Sequence, residues 1–171
     1  MEKDIPVLKD MYRLAFAGFP WHEELSSEEI DSRFDKQQSM RGFSGLVGEK
    51  GSSIATAHWW DSPTIVDIAN ERGQELAMFA EKMLADHQSL FWERELLTHP
   101  DFQKQGFGTI IRTAFVDKLM RENTSFIVLT RMREDNLPTI KIAQKLGYQG
   151  TGIKTPCNIS SYLHEYWYLA R

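Results

Sequence analysis

Residues 96–108 read Leu96-Leu97-Thr98-His99-Pro100-Asp101-Phe102-Gln103-Lys104-Gln105-Gly106-Phe107-Gly108. Here an apolar strand ends before a proline, the chain turns, and a helix begins at two glycines. The run from Leu90 to His99 is rich in apolar and aromatic residues, and Ile111, Ala114, Phe115, Lys118 and Leu119 mark a helix face downstream. The first N–H groups of a helix have no internal partner, and the helix dipole adds partial positive charge at that end. A pyrophosphate can therefore be held there by backbone alone, with Gly106 and Gly108 keeping side chains out of its way.

Two other glycine-loop readings fail on spacing. A dinucleotide fingerprint needs a third glycine at position 111, which is Ile111, and a P-loop needs Gly-Lys-Ser/Thr, which does not follow.

Outward from the loop, Leu8, Met11, Tyr12, Ala15 and Phe19 form the stripe of an amphipathic helix, ended by Gly18 and Pro20. Ser26-Ser27-Glu28-Glu29 offers a capping box for a second helix running to about Gln38. Two strand-like runs, 43–49 and 52–60, flank Lys50-Gly51 and predict an antiparallel hairpin. In the insertion at about 61–89, Leu76, Phe79, Ala80, Met83 and Leu84 give one more helical stripe. Residues 125–131 contain a short apolar run suited to a buried strand. Asp135 or Asn136 then caps a helix with Pro138 in its first turn and Gly147 at its end, and strands near 148–154 and 162–169 finish the chain. This order suits an α/β architecture, a mixed sheet with helices on both faces.

A length of 171 residues suits one domain, 1–171. A net charge of -4 without like-charge blocks argues against a nucleic-acid surface and fits a cationic acceptor. Cys157 is the only cysteine, which rules out an intrachain disulfide and suggests a reducing, cytoplasmic setting. The charged N-terminus lacks a signal-peptide run, and no stretch approaches a membrane span. The five histidines show no metal-ligand spacing, so no metal is expected.

The segment Gln103-Lys104-Gln105-Gly106-Phe107-Gly108 resembles the central signature of the GNAT acetyltransferase superfamily, Gln/Arg-x-x-Gly-x-Gly/Ala. Residues 135–148 resemble that family's second motif, an Asn-led helix ending in Lys-x-Gly-aromatic. The resemblance implies a GNAT-like, mostly antiparallel sheet splayed between two central parallel strands. It also implies acetyl-CoA as co-substrate and transfer of its acetyl group to a primary amine of a small molecule or peptide, by direct attack in a ternary complex. Leu97 and Thr98 would bond the pantetheine arm through their backbone, Gln103, Lys104, Gln105, Gly106, Phe107, Gly108 and Thr109 would hold the pyrophosphate, and Asn136 would contact the pantetheine. A backbone N–H of Leu97 or Thr98 could serve the oxyanion.

Two positions depart from the family pattern. Many members carry a tyrosine acid on the second-motif helix where this chain has Ala143, and Tyr148 and Tyr162 are weak substitutes, so the general acid stays unassigned. Relatives with a carboxylate base often carry it four or six residues before the Thr98 position, which here means Arg94 or Trp92. Glu93 and Glu95 are the candidate general bases, and strict alternation sets them on the face opposite Trp92, Arg94, Leu96 and Thr98. A bulge would change the face they present. Their structural alternative is a solvated face pairing with Arg94, Arg131 or Arg133.

His58 is a candidate acceptor-site residue, while Trp21, Trp59 and Trp60 line the acceptor pocket or fill the core. The insertion lids the cleft, forms a homodimer contact or covers a sheet edge. The competing function is a non-catalytic acyl-CoA sensor or regulatory domain.

Overall fold

The computed structural model describes residues 4–18, 20–158 and 160–171. Phe19, expected in the first helical stripe, lies outside the described residues. The elements are α1 (Ile5–Ala17), α2 (Ser27–Gln38), β1 (Ser44–Lys50), β2 (Ser53–Asp61), α3 (Ile65–Arg72), α4 (Gln74–Leu84), β3 (Ser89–Thr98), a 3-10 turn (Pro100–Phe102), α5 (Phe107–Glu122), β4 (Phe126–Arg133), α6 (Leu137–Lys145), β5 (Gln149–Pro156) and β6 (Leu163–Ala170).

The strands form a six-stranded sheet in the order β1-β2-β3-β4-β6-β5. Only β3 and β4 run parallel, joined by α5, because parallel neighbours need a long crossover. Their pairing covers Ser89–Trp92 against Phe126–Leu129 and stops there. Beyond it the facing edges are unpaired, which is the splay implied by the resemblance.

Helices cover both faces. On one, Phe115, Val116 and Leu119 of α5 pack with Val128, Met132, Tyr148 and Trp167. On the other, Leu8, Met11 and Tyr12 of α1 and Ile30 and Phe34 of α2 close over Ala57, Trp59 and Leu97. The same face carries Ile68 of α3 and Leu76, Ala77 and Ala80 of α4, over Trp92, Ile127, Leu129 and Tyr166. β4 is therefore buried on both sides, which explains its continuous apolar run.

The cap of α2 forms as its sequence predicts. Ser26 Oγ accepts from the Glu29 N–H at 3.2 Å, and Glu29 accepts from the Ser26 N–H at 2.8 Å. The insertion holds two helices where one was expected, and both pack on a face of the sheet. Thr64 and Asp67 build a second capping box at the start of α3. Gly73, at φ +97°, separates α3 from α4 in a conformation that L side chains rarely adopt.

Candidate active site

The register between β2 and β3 shifts once. Trp59 pairs with Glu95 and Trp60 with Glu93, leaving Arg94 as the extra residue of a bulge. The two glutamates therefore point to opposite faces of the sheet.

Glu93 points at α5. Arg112 donates to both its carboxylate oxygens, through Nε to Oε1 at 3.2 Å and through Nη2 to Oε2, while the Tyr148 hydroxyl also donates to Oε1. Glu93 and Arg112 are buried, and the guanidinium also stacks 4.4 Å from the Tyr148 ring centre. Burial pushes the Glu93 carboxyl up, but the Arg112 charge and the hydrogen bonds from Arg112 and Tyr148 together hold it below the usual range. Such a carboxylate is a committed ion-pair partner and a poor proton acceptor.

Glu95 points the other way, towards α1 and α2. Its Oε1 accepts from the Tyr12 hydroxyl at 3.3 Å and from Gln37 Nε2 at 3.4 Å. Trp59 Nε1, which can only donate, gives to Gln37 Oε1 at 2.7 Å and so fixes which end of the amide faces Glu95. Arg33 donates to the Tyr12 oxygen at 3.2 Å. Glu95 Oε2 makes no hydrogen bond with the described residues. Burial pushes the Glu95 carboxyl up to about 7, against the opposing pull of the Gln37 and Tyr12 hydrogen bonds and the charges of Arg33 and Arg131. That value suits proton transfer near neutral pH.

Where β3 and β4 diverge, a small cavity of about 80 Å³ is lined by Leu97, Thr130, Met132 and Asn136 among others. Glu95 belongs both to this lining and to that of a second cavity of about 860 Å³ under α1, α2 and α3. Leu97 and Asn136, distant in sequence, thus meet at one cleft. Asn136 is the N-cap of α6, and its side chain makes no capping bond.

The glycine loop stands at the start of α5. Gly106 is the N-cap at φ +88°, and a Cβ there would meet nothing within 4 Å. Gly108 plays a different part. Its Cβ would lie 3.4 Å from Ile142 Cδ1 and 3.5 Å from Thr98 Oγ1, ordinary contact distances, so this position faces α6 and the end of β3 and has room for a methyl group. Behind Phe107, Gly108 and Thr109 no earlier helical carbonyl exists to take their N–H groups. Gln105 Nε2 ties the loop to the Asp101 carbonyl at 2.9 Å and Gln103 Nε2 reaches the Thr98 carbonyl at 3.4 Å. Lys104 adopts φ +60°. Lys50, from the hairpin, donates to Gln105 Oε1 at 2.8 Å and lies 5.4 Å from the Phe102 ring centre, adding a cation beside the loop. Open space at Gly106, first-turn amides and a neighbouring ammonium fit a pyrophosphate.

His58 falls on the α5 face instead of in the larger cavity. It is buried edge-on to Phe115 and 3.7 Å from Glu93, and burial pushes its imidazole down to about 4, so it stays neutral. Trp59 and Trp60 are core, whereas Trp21 stacks on Phe16 and lines the larger cavity. Tyr148 is buried against Glu93, and burial followed by that charge pushes its hydroxyl well above its ordinary value. Tyr162 is exposed at the start of the last hairpin strand. Among the described residues no group of three or more His, Cys, Asp or Glu could hold a metal ion, and no helix is long and apolar enough to cross a membrane.

Tyr12, Gln37 and Arg112 support the two glutamates, and the first two carry no sequence signal for that role. Tyr12 reads as stripe and Gln37 as the end of a polar helix. Arg112 is a charge beside Ile111 and Phe115 on a face that buries, the one visible hint of a buried ion pair.

The sequence matches the profile of the Acetyltransferase (GNAT) family over residues 8–148. A search of curated protein sequences finds no match. Similar solved structures include the ribosomal-protein-S18-alanine N-acetyltransferase of Escherichia coli, 14% identical with a TM-score of 0.70, over 99% of this chain and 89% of that one. The ribosomal-protein-alanine N-acetyltransferase of Brucella melitensis is 13% identical with a TM-score of 0.68, over 100% and 96% of the two chains. A GNAT superfamily phosphinothricin acetyltransferase of Sinorhizobium meliloti, solved in complex with acetyl-CoA, is 13% identical with a TM-score of 0.67, over 99% and 84%. The chain belongs to the GNAT acetyltransferase family. It is an acyltransferase whose co-substrate is acetyl-CoA.

Proposed function

We propose that this enzyme acetylates a primary amine by direct attack in a ternary complex, with Glu95 as the general base. The observation that carries the reading is the carboxylate of Glu95, shared by the two cavities, hydrogen-bonded among the described residues through one oxygen only and poised near neutral pH. Bound acetyl-CoA supplies the thioester; the amine nitrogen bonds to the acetyl carbon as the carbon–sulfur bond breaks.

The chain's own residues do the rest. The first-turn amides of α5, the loop from Gln103 to Thr109 and the Lys50 ammonium hold the pyrophosphate, while Leu97, Thr98 and Asn136 line the pantetheine path. The ammonium form of an acceptor cannot attack, so Glu95 takes its proton through Oε2, directly or by one water. Tyr12 and Gln37 hold Oε1 and thereby orient Oε2. Glu93 is a structural anion, locked to Arg112. Ala143 supplies no acid and the Tyr148 hydroxyl is held too high to give its proton readily, so the thiolate leaves without an assigned donor.

The test is coenzyme A release with a panel of amines, measured for the native enzyme and for Glu95→Gln. The reading expects turnover with at least one amine and its loss in the variant, with acetyl-CoA affinity retained. Acetyl-CoA binding without turnover on any amine would favour the non-catalytic sensor.

A further inference from the structure

Five cationic side chains line the larger cavity, and two of them lack sufficient anions. Arg94 is satisfied: Asp61 accepts from its Nε at 2.7 Å and its Nη2 at 2.9 Å, and Glu71 accepts from its Nη1 at 2.7 Å. Arg33 has Glu23 and the Tyr12 oxygen. Lys36 reaches Glu71 only at 4.0 Å.

Among the described residues Arg72, the last of α3, has a single ion pair, to Glu71 Oε2 at 3.8 Å, and that oxygen already accepts from Arg94. Its guanidinium lies 5.0 Å from the Trp92 ring centre, and its Nε is buried with no hydrogen-bond partner among the described residues. The side chain of Arg131, on β4, makes no hydrogen bond or ion pair with the described residues. The two arginines are close enough that the charge of Arg131, after burial itself, pulls the Arg72 guanidinium down. Two further buried polar atoms on the same cavity wall, Thr155 Oγ1 and His164 Nδ1, also lack hydrogen-bond partners among the described residues.

Like charges brought together beside unpaired polar atoms cost free energy unless an anion joins them. Four glutamates share the cavity wall, but Glu23 pairs with Arg33, Glu71 with Arg94 and Glu93 with Arg112, so among the described lining residues Glu95 is the one carboxylate without a close cationic partner. Guanidinium pairs match the planar, two-oxygen geometry of carboxylate and phosphate groups. Arg131 is also near enough to Glu95 to lower that carboxyl's proton affinity, which sets the anion site beside the proton acceptor.

We infer that the acceptor amine carries an oxyanionic group, a carboxylate or a phosphate, which is held between Arg72 and Arg131 while the amine faces Glu95. This rests on the reading of the chain as an amine acetyltransferase, and it narrows the acceptor to small amphoteric amines such as amino acids or aminoalkyl phosphates. The Thr155 hydroxyl offers a further donor to that group.

The experiment compares matched acceptors with and without the anion, an amino acid against its amide and an aminoalkyl phosphate against the corresponding amino alcohol. For the native enzyme, kcat/KM should favour the anionic member. In Arg72→Met and in Arg131→Met that ratio should fall roughly 10- to 100-fold, the size of a lost charge-assisted hydrogen bond. The carboxylate and phosphate pairs tell which oxyanion is taken. In parallel, inorganic phosphate should raise the melting temperature of the native protein and not of either variant; Arg131, being exposed, can be replaced without emptying a core. Equal kcat/KM for anionic and neutral members, or a ratio that both variants leave unchanged, would overturn the inference while leaving amine acetylation standing. If no amine is turned over, the acetyltransfer reading fails instead, and the phosphate measurement decides the anion site by itself: stabilisation lost in both variants supports it, and no stabilisation overturns it.

Discussion

Glu93 and Glu95, two residues apart on one strand, project from opposite faces of the sheet, because Arg94 is the extra residue of a bulge between them. One enters a buried ion pair and the other enters the large cavity, so similar substitutions at the two positions should have unlike effects.

Glu95→Gln is expected to lower kcat by about 10²- to 10⁴-fold, the usual worth of a positioned general base. Steady-state kinetics checks it, together with the loss of an ascending limb near pH 7 that the native profile should show as Glu95 ionises. Glu93→Gln should instead cost about 3–5 kcal/mol of stability by leaving the Arg112 guanidinium buried without its counter-charge, as denaturant unfolding would report.

The proton affinity of Glu95 also has a signature in stability. Its carboxyl is raised from about 4.5 to about 7 on folding, so the native state holds its proton more tightly than the unfolded chain does. The destabilising cost of ionising it is absent below pH 4.5, grows between 4.5 and 7, and is complete above 7. Glu95→Gln should therefore match the native protein near pH 4.5 and exceed it by about 1–3 kcal/mol at pH 8, with the lower part of that range reflecting the partial exposure of the side chain. Paired unfolding curves at the two pH values would measure it.

Tyr12→Phe removes one hydrogen bond to the ionised form of Glu95. The apparent pKa of the rate profile should rise by up to about one unit, a shift that a merely structural role for Tyr12 would not produce.

The two loop glycines should respond differently. Gly106→Val forces a branched side chain into a left-handed conformation and fills the space assigned to the pyrophosphate, so coenzyme A affinity should fall at least tenfold by calorimetry, roughly 1.4 kcal/mol or more. Gly108→Ala meets only the end of the Ile142 side chain and the Thr98 hydroxyl, and should change affinity by less than about threefold.

The strand, loop and helix that carry the proposed donor site were largely legible in the sequence. Gln103 to Gly108 has fixed spacing because backbone geometry demands it, and α5 follows because unpaired amides must begin a helix. The acceptor side was not, for physical reasons that differ by residue. Alternation set Glu93 and Glu95 on one face, and only the register against Trp59 and Trp60 reveals the extra residue that separates them. The stripe from Leu76 to Leu84 reads as one helix, while α3 shows only a short apolar pattern; Thr64-x-x-Asp67 was the available signal for its start. Arg72 and Arg131 are 59 positions apart and become neighbours through β4 and α3 packing on one sheet face. His58 sits on a strand beside β3, yet alternation along β2 sends it to the opposite face from the larger cavity.

Gly73 bends the insertion so that Arg72 ends one helix at the cavity while the next continues over Leu129 and Tyr166. The bend makes the insertion a separable cassette. One short stretch of chain supplies a wall of the larger cavity, and a different stretch forms the glycine loop and α5. On the function proposed above, replacing the cassette would redirect the choice of acceptor while leaving the loop proposed for the donor undisturbed, a way for the scaffold to acquire new acceptors one segment at a time.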